Sequence, residues 1–278
     1  MATDDRVADG PELIVGTAGD GVAVLTLNRP AELNAWTYPL EERFFAALDS
    51  AAGDRSVRVV VVTGAGRAFC AGASMRLLGD GDRSSRRDRA HRRRLCELVA
   101  FPKPVIAAVN GAAAGIGFSL AVSCDIRFAA EAAKLTTSFA RLGLVAEHGV
   151  AWLLPRLVGD AHARDLLLSG RTVTGAEAAS MGLVNRAVTG PDTLAEAVAY
   201  ARLLVETGSP ASWAAIKRQL LAADDLTLPS AYEQAADLME PALRSADHRE
   251  GVLAFRERRP PRFAPLPGDV SNISVADE

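Results

Sequence analysis

The segment "KPVIAAVNGAAAGIGFSLAVSCD", residues 103–125, carries the strongest structural signal in the chain. Its first run of apolar and β-branched residues predicts a buried strand over 103–111, and the second run predicts a helix over 115–125 that opens directly after a glycine turn. The apolar part is also long enough to cross a bilayer. However, Asn110 interrupts it, and much of its apolar content is glycine and alanine. We therefore interpret it as a buried core segment.

The preceding segments show the same alternation of strand and helix. "GVAVLTLNRP" (21–30) and "VRVVVVTGAG" (57–66) each predict a strand that ends at a turn, and the continuous valine run is typical of a strand buried on both faces. Between them, "PLEERFFAALDSAAGD" (39–54) has apolar residues at helical spacing. "DIRFAAEAAKLTT" (125–137) predicts a further strand with a turn. This order predicts an α/β fold with layered sheets.

The pattern becomes helical from about residue 160. The tail after Pro260 is rich in proline and is expected to be loose. We divide the chain into a flexible leader (1–11), a core (12–200), a helical C-terminal region (201–262) and a flexible tail (263–278). Helical periodicity covers 160–170, 175–182, 193–208, 212–224 and 228–245.

Composition limits the class of protein. The chain has 278 residues, of which 49% are hydrophobic and 23% charged, enough for a large core. A net charge of −3 gives no electrostatic reason to expect nucleic acid or an anionic membrane as the main partner. The cysteines, Cys70, Cys96 and Cys124, have neither CxxC nor metal-ligand spacing, so we expect reduced thiols and no metal site. The acidic N-terminal segment shows no signal-peptide pattern, and we expect a cytoplasmic protein.

An arginine-rich segment, "GDGDRSSRRDRAHRRRL" (79–95), follows the second strand region. One interpretation is a patch that binds phosphate or nucleic acid. The preferred one is a solvated loop that runs into an exposed helix face, because aspartates are interspersed and aromatic residues are missing from it. The role of its arginines, 83–94, stays open.

Two glycine-rich turns, in "FCAGASM" (69–75) and "NGAAAGIGFSL" (110–120), each follow a predicted buried strand. Small residues let the backbone turn tightly there and leave N–H groups free to approach a ligand. Two such groups aimed at one carbonyl oxygen would form an oxyanion hole. Tight packing of strand against helix explains the same glycines without any ligand.

A carboxylate and an imidazole interrupt the apolar segment "LGLVAEHGVAWLLPRL" (142–157) at Glu147 and His148. A carboxylate in a dry interior needs partners or a shifted pKa. We expect Glu147 to be buried beside a ligand pocket, with a raised pKa that suits proton transfer near neutrality. Alternatively, Glu147 is a structural residue at a helix start. For His148 the structural interpretation is preferred, because adjacent helical residues point to different faces.

Four segments in order, "GVAVLTLNRPAELNAW", "VVVVTGAGRAFCAGASM", "KPVIAAVNGAAAGIGFSLAVSCDIRFAA" and "LLLSGRTVTGAEAASMGLVN", resemble the enoyl-CoA hydratase/isomerase (crotonase) family over about residues 12–262. The resemblance implies a spiral of β-β-α repeats with two stacked sheets, followed by helices that mediate homotrimers or hexamers. It also implies that the core binds acyl-CoA thioesters. Coenzyme A is then part of the substrate, and no separate cofactor, nucleic acid or membrane is expected.

The resemblance also implies site residues. The backbone N–H groups of Ala73 and Ile116 would hold the thioester oxygen as an enolate. Hydratases of the family carry two glutamates, and this chain has Ser119 and Phe139 at those positions. Family members that isomerise double bonds carry an aspartate where this chain has Glu147, which is the expected catalytic carboxylate.

Contacts with coenzyme A are carried over by position from the same resemblance. One group of residues is expected to line the nucleotide and pantetheine path, another to approach the phosphates, and a third to reach the coenzyme A of a neighbouring subunit. The first group consists of Glu32, Leu33, Ala71 and Met75. The second is Arg76 alone, and the third consists of Phe255 and Arg258.

The expected reaction is double-bond isomerisation, since a single carboxylate can remove a proton and return it at another carbon. Hydration ranks second, because it ordinarily needs two groups to orient and activate water, and here the second would be Ser119 or His148. Acyl-enzyme chemistry with Glu147 as nucleophile ranks third. The competing class is a non-catalytic acyl-CoA-binding protein.

Overall fold

The computed structural model of the chain describes residues 10–19, 21–75 and 93–266. These residues form ten strands and eight α-helices. The strands are β1 (Leu13–Thr17), β2 (Val22–Leu27), β3 (Val59–Gly64), β4 (Ala68–Cys70), β5 (Val105–Val109), β6 (Ala112–Ala114), β7 (Ile126–Ala130), β8 (Lys134–Thr136), β9 (Val173–Thr174) and β10 (Arg186–Val188). The helices are α1 (Tyr38–Gly53), α2 (Ile116–Ser123), α3 (Val150–Ser169), α4 (Gly175–Ser180), α5 (Thr193–Thr207), α6 (Pro210–Ala222), α7 (Leu228–Arg244) and α8 (Ala246–Glu257).

A six-stranded sheet in the order β1-β2-β3-β5-β7-β10 forms the centre of the molecule. Among the described strands of this sheet, only the β1–β2 pair is antiparallel. Alternate valines of β3 point to opposite faces: Val60 and Val62 belong to one apolar cluster, and Val59 and Val61 to another. The prediction that the valine run is buried on both faces is therefore confirmed.

A smaller sheet has the order β4-β6-β8-β9. Successive strands alternate between the two sheets: β3, β5 and β7 lie in the larger one, and β4, β6 and β8, which follow each of them, lie in the smaller one. Helices α2 and α3 follow the second and third of these strand pairs. The spiral of β-β-α repeats expected from the resemblance is confirmed.

The outer face of the large sheet is covered by α5. Ala197 and Ala201 of this helix are fully buried against Val59, Val61 and Ile106, and the small alanine side chains let the helix approach the sheet closely. The opposite face of the sheet packs into the larger core together with α1, α2 and α3. The sheet is thus buried on both sides, as parallel sheets are.

The helices agree with the predicted segments, with two additions. Helix α3 begins at Val150, before the predicted start at 160, and the two parts meet at Gly159, whose φ of 74° and ψ of 163° are not helical. Helix α8 is capped by Ser245, whose hydroxyl accepts a hydrogen bond from the His248 N–H, and it was not predicted. No helix among the described residues is long and apolar enough to cross a membrane, and the 103–125 segment divides into β5, β6 and α2.

The ends of the described chain are attached to the core. Arg58 Nη2 donates a hydrogen bond to the Phe263 carbonyl at 2.6 Å, which attaches the first residue of the expected tail to the core. The flexibility of the tail stays a prediction. At the other end, Asn28 Nδ2 donates to the Pro11 carbonyl at 3.0 Å. The remainder of the expected leader (1–9) and tail (267–278) lies outside the described residues.

The arginine-rich segment is described only from Arg93 onward. Arg93 forms ion pairs with Asp49 of α1 and with Glu97, and its guanidinium lies 4.6 Å from the centre of the Phe45 ring. Residues 95–100 continue as a short 3₁₀ helix.

Candidate active site

The first donor turn, residues 70–74, follows β4. Trp36 forms a parallel bridge with Ala73: its N–H donates to the Gly72 carbonyl at 2.7 Å, and its carbonyl accepts from the Ser74 N–H at 2.9 Å. Successive peptide groups of an extended chain point in opposite directions, so the Ala73 N–H points away from Trp36. Ala73 is half-buried, and within the described part of the chain its N–H has no protein acceptor.

The second donor turn, residues 114–117, connects β6 to α2. Gly115 has a φ of 51° and a ψ of −114°, and its N–H donates to the Thr136 carbonyl at 3.2 Å. Ile116 is the first residue of the helix, where an N–H has no partner inside the helix. Its N–H donates to no acceptor among the residues that the structure describes. The positive end of the helix dipole lies at this same N–H.

The two donor turns pack directly against each other. A Cβ atom on Gly117 would lie 2.0 Å from the Cys70 carbonyl oxygen, and one on Gly72 would lie 3.3 Å from the Ala114 carbonyl oxygen. Only glycine allows α2 to approach the end of β4 so closely. The fold thus brings Ala73 and Ile116, as predicted, onto facing turns. Free N–H donors of this kind can stabilise negative charge that develops on a carbonyl oxygen.

Two asparagines that sequence analysis missed hold β4 in place. Asn34 is fully buried: its Oδ1 accepts from the Arg29 N–H at 2.8 Å, and its Nδ2 donates to the Ala65 and Ala68 carbonyls at 2.9 and 2.7 Å. Asn110 Nδ2 donates to the Gly66 carbonyl before β4 at 2.9 Å and to the Ala68 carbonyl of β4 at 3.4 Å. The available signal was an asparagine within an apolar segment, which can only be buried with its hydrogen bonds satisfied.

The loop of residues 140–149 carries Glu147. We call it the carboxylate loop. Its apolar side chains are exposed, with Val145 80% and Leu142 59% accessible. Glu147 is exposed as well, so its expected burial is wrong for the single chain. The physical reason is that the loop runs over the surface from the buried Phe139, whose carbonyl accepts from the Leu142 and Leu144 N–H groups at 3.0 and 2.9 Å.

His148 lies in the carboxylate loop, not in a helix as expected, and has a left-handed φ of 52°. Its side chain is half-buried, and Nδ1 accepts a long hydrogen bond of 3.5 Å from the Leu95 N–H. Burial lowers the pKa of His148, and the nearby carboxylates of Glu147 and Glu41 oppose that effect.

Ser119 and Phe139 are both buried. Ser119 has no accessible surface, and its hydroxyl donates to the Gly115 carbonyl at 3.1 Å. Phe139 is part of the larger apolar core. Ser119 thus supports the helix turn behind Ile116, and its hydroxyl is already used in doing so.

Comparison with known proteins agrees with this architecture. The sequence model described as enoyl-CoA hydratase/isomerase matches residues 17–265. The chain belongs to this family.

Individual members of the family show how similar the chain is to them. A probable enoyl-CoA hydratase from Rhodobacter capsulatus is 40% identical and covers 88% of this chain and 95% of its own length. A 1,2-epoxyphenylacetyl-CoA isomerase from Escherichia coli is 36% identical, and the match covers 91% of this chain and 98% of the isomerase. The crystal structure of a probable enoyl-CoA hydratase/isomerase from Mycobacterium abscessus superimposes with a TM-score of 0.83 at 34% identity. The superposition covers 92% of this chain and 99% of the crystallised one. As an enoyl-CoA hydratase/isomerase family member, the protein is an enzyme that processes acyl-CoA thioesters.

Two of the residues expected along the coenzyme A path are in contact in this member of the family. The Ala71 N–H donates to the Leu33 carbonyl at 3.0 Å, so these two residues are in contact. Glu32 is exposed and pairs with Arg29 at 2.6 Å. Met75 is 80% exposed. Arg76 lies outside the described residues.

Phe255 and Arg258 lie near the C-terminal end of α8. Phe255 is 86% exposed and lines a cavity of about 740 Å³ between α6, α7 and α8, to which neither donor turn contributes. Arg258 is exposed and ends α8 with a left-handed φ of 53°. The single chain does not bring these two residues to the donor turns. In the described ranges, no three His, Cys, Asp or Glu side chains are grouped as metal ligands.

Proposed function

We propose that the protein isomerises the double bond of an enoyl-CoA thioester, with Glu147 as the group that carries the proton. The observation that supports this most directly is the pair of N–H groups, on Ala73 and Ile116, that face no protein acceptor among the described residues. An enolate oxygen held by both would be stabilised by several kcal/mol, since removal of one such donor in other enzymes costs about 3 kcal/mol.

The proposed step needs no water. The carboxylate of Glu147 takes a proton from the carbon α to the thioester, and the electron pair of that C–H bond forms a dienolate whose oxygen rests on Ala73 and Ile116. The carboxyl group, whose proton can exchange with solvent while Glu147 holds it, then delivers a proton to the γ carbon, which moves the double bond into conjugation with the thioester. Because Glu147 is exposed in the single chain, we infer that the bound acyl group covers it.

Hydration is the second candidate, and one observation favours it. His148 lies beside Glu147, and the two side chains would be the pair of groups that position and activate water. Ser119 is less suited because its hydroxyl already donates to Gly115. A protein that binds acyl-CoA without turnover is a weaker candidate because it leaves Glu147 without a role, and an acyl-enzyme reaction through Glu147 is weaker because it needs a leaving group that the sequence does not reveal.

Assembly belongs to the same proposal. Helices α6 to α8 leave apolar side chains exposed, which favours a homotrimer or a hexamer built through this region. In such an assembly Phe255 and Arg258 would reach the coenzyme A of a neighbouring subunit. The exposed apolar residues of these helices include Ile216, Leu220, Tyr232, Met239, Leu243 and Phe255.

The test is turnover of 3-enoyl-CoA and 2-enoyl-CoA in deuterated water by the wild type and Glu147→Gln. Deuterium at the α or γ carbon that disappears in the variant supports the proton shuttle. Glu206→Gln, an exposed carboxylate of α5, is the matched control and is expected to behave like the wild type. Formation of 3-hydroxyacyl-CoA that survives Glu147→Gln would contradict the proposal, and binding without turnover by the wild type would favour the non-catalytic class.

A further inference from the structure

A buried arginine lies at the C-terminal end of α2, the helix that begins with Ile116. Arg127 is 4% exposed, and every described hydrogen bond of its side chain goes to a main-chain carbonyl. Its Nη1 donates to the Ala121 carbonyl at 3.5 Å and to the Cys124 carbonyl, which belong to the last turn and the C-cap of α2. Its Nε donates to the Leu183 carbonyl at 2.9 Å. The guanidinium thus binds the end of α2 directly.

The charge of Arg127 has no ion-pair partner among the described residues. The carboxylate of Asp125, two residues earlier, is bound elsewhere: its Oδ2 lies 2.6 Å from Lys217 Nζ and accepts from the Val105 N–H at 2.7 Å. A buried charge must be compensated, and here the carbonyl oxygens and the negative end of the α2 dipole compensate it. Because arginine stays protonated in proteins, the positive charge at this end of α2 is permanent.

Helix α2 connects Arg127 to the second donor turn. It has eight residues, a length of about 12 Å, and its residues after Ile116 are all buried. Gly117 fixes its first turn against the Cys70 carbonyl oxygen. The positive end of the helix dipole lies at the Ile116 N–H, and Arg127 neutralises the negative end. Both the helix and the arginine therefore favour a negative charge beside Ile116.

We propose that Arg127 is a positioning residue of the active site, which holds the C-terminal end of α2 and makes the Ile116 N–H a stronger donor to the thioester oxygen. This role rests on the proposed function, because it requires that the oxygen binds at the donor turns. Arg127 does not itself touch the substrate. Its charge acts along α2 and matters most when the oxygen becomes negative in the enolate.

The size of the effect follows from the separation of the charges. With a hydrogen bond at each end of α2, the guanidinium and the enolate oxygen are about 18 Å apart. At an effective dielectric constant of about 20, two unit charges at that separation change a rate about fivefold. The neutral thioester of the bound ground state carries little of this charge. Loss of the Arg127 charge should therefore lower kcat more than it raises KM.

Four variants of the full chain test the role. Arg127→Met and Arg127→Gln remove the charge, and Arg127→Lys keeps it. Arg58→Gln is the control, because Arg58 also donates to a main-chain carbonyl, that of Phe263, and makes no described bond to α2. Neutral residues of similar volume often replace a buried charge without loss of folding, and two are used for that reason.

The main measurement is the infrared stretching frequency of the thioester carbonyl in bound butyryl-CoA labelled with ¹³C at that carbon. This saturated ligand cannot isomerise, so the measurement needs no turnover. Hydrogen bonds from the donor turns polarise the carbonyl, and we expect the wild type to lower its frequency on binding. The lowering should be smaller in Arg127→Met and Arg127→Gln, and close to that of the wild type in Arg127→Lys and Arg58→Gln. With 3-enoyl-CoA, kcat of the neutral variants should fall about fivefold.

The outcomes separate this role from a structural one. An Arg127 that only stabilises the fold would lower the free energy of unfolding and leave the carbonyl frequency unchanged, which would overturn the inference. Equal losses in Arg127→Lys and the neutral variants would overturn it as well. If neither neutral variant folds, Arg127→Lys decides: a wild-type frequency supports the role of the charge, and a lost shift contradicts it.

Failure of the proposed function gives a different result. A wild type that lowers the carbonyl frequency but does not isomerise 3-enoyl-CoA would defeat the isomerase proposal, while the comparison of the Arg127 variants would still stand. A wild type that leaves the frequency unchanged on binding would show that the oxygen does not bind at the donor turns. That result would overturn both proposals.

Discussion

The donor turns and the carboxylate loop are held in opposite ways. Gly72 and Gly117 fit against backbone oxygens of the neighbouring turn, so the donor turns are fixed by main-chain contacts inside the core. The carboxylate loop instead runs over the surface and exposes Val145 and Glu147. The difference indicates that the fold fixes the groups that bind the oxygen before substrate arrives, whereas the environment of the carboxylate is completed by the substrate or by another subunit.

The largest expected effect comes from breaking a donor turn. Gly117→Ala would place Cβ 2.0 Å from the Cys70 carbonyl oxygen, and backbone atoms must move to relieve this contact. We expect a loss of at least about 3 kcal/mol in the free energy of unfolding, measured by urea denaturation at a fixed protein concentration. Gly53→Ala, at the end of α1, meets no atom within 4 Å and should change stability by less than about 1 kcal/mol. Equal effects of the two substitutions would contradict the close packing of the turns.

A somewhat smaller loss is expected when the support of β4 is removed. Asn34→Ala leaves the Arg29 N–H and the Ala65 carbonyl without their partner in a partly buried place, and it leaves the buried Ala68 carbonyl with only the long 3.4 Å bond from Asn110. The cost should be about 2–4 kcal/mol by the same denaturation measurement. Asn28→Ala removes one exposed hydrogen bond and serves as the control, with an expected change below about 1 kcal/mol. A mild Asn34 variant would mean that β4 is held mainly by packing.

At position 148 of the carboxylate loop, the cost of a substitution should depend on how readily the new residue adopts the left-handed backbone conformation found there. His148 has a φ of 52°, which asparagine adopts readily and a β-branched residue does not. His148→Val should therefore cost about 1–2 kcal/mol more than His148→Asn. Equal stability of the two variants would show that the loop relaxes around residue 148.

The stability of the wild type and that of His148→Asn should also depend differently on pH. The folded-state pKa of His148 lies below the ordinary value of 6.5, so the unfolded chain binds the proton more readily. The contribution of His148 to stability is present above pH 6.5 and is lost as the pH falls through the folded-state pKa. His148→Asn lacks this titration, and between pH 7 and pH 5 its stability should fall less than that of the wild type.

The smallest effect on stability is expected at the surface of the carboxylate loop. Val145→Ser removes an 80% exposed side chain, and the free energy of unfolding should change by less than about 0.5 kcal/mol. If bound substrate covers this loop, KM for the acyl-CoA rises in the same variant. A large loss of stability would show instead that Val145 is buried in an assembly.

The sequence was informative where local chemistry determines structure. Glycine at positions 72, 115 and 117 predicted both donor turns, because no other residue type permits such a backbone approach. The apolar neighbours of Glu147 led to the wrong expectation that Glu147 is buried, because Leu142 and Val145 are apolar and yet exposed. The roles of Asn34 and Trp36 depend on partners distant in sequence, and a single sequence does not reveal such pairs.

The position of α5 has a consequence for synthesis of the chain. The outer face of the large sheet, with Val59, Val61 and Ile106, is covered by Ala197 and Ala201, which the ribosome adds about 90 residues after β5. At about 5–20 residues per second, this apolar face stays uncovered for several seconds. The nascent chain therefore offers a hydrophobic surface to chaperones until α5 emerges, and the bond from Arg58 to Phe263 forms later still, about 60 residues of synthesis after α5.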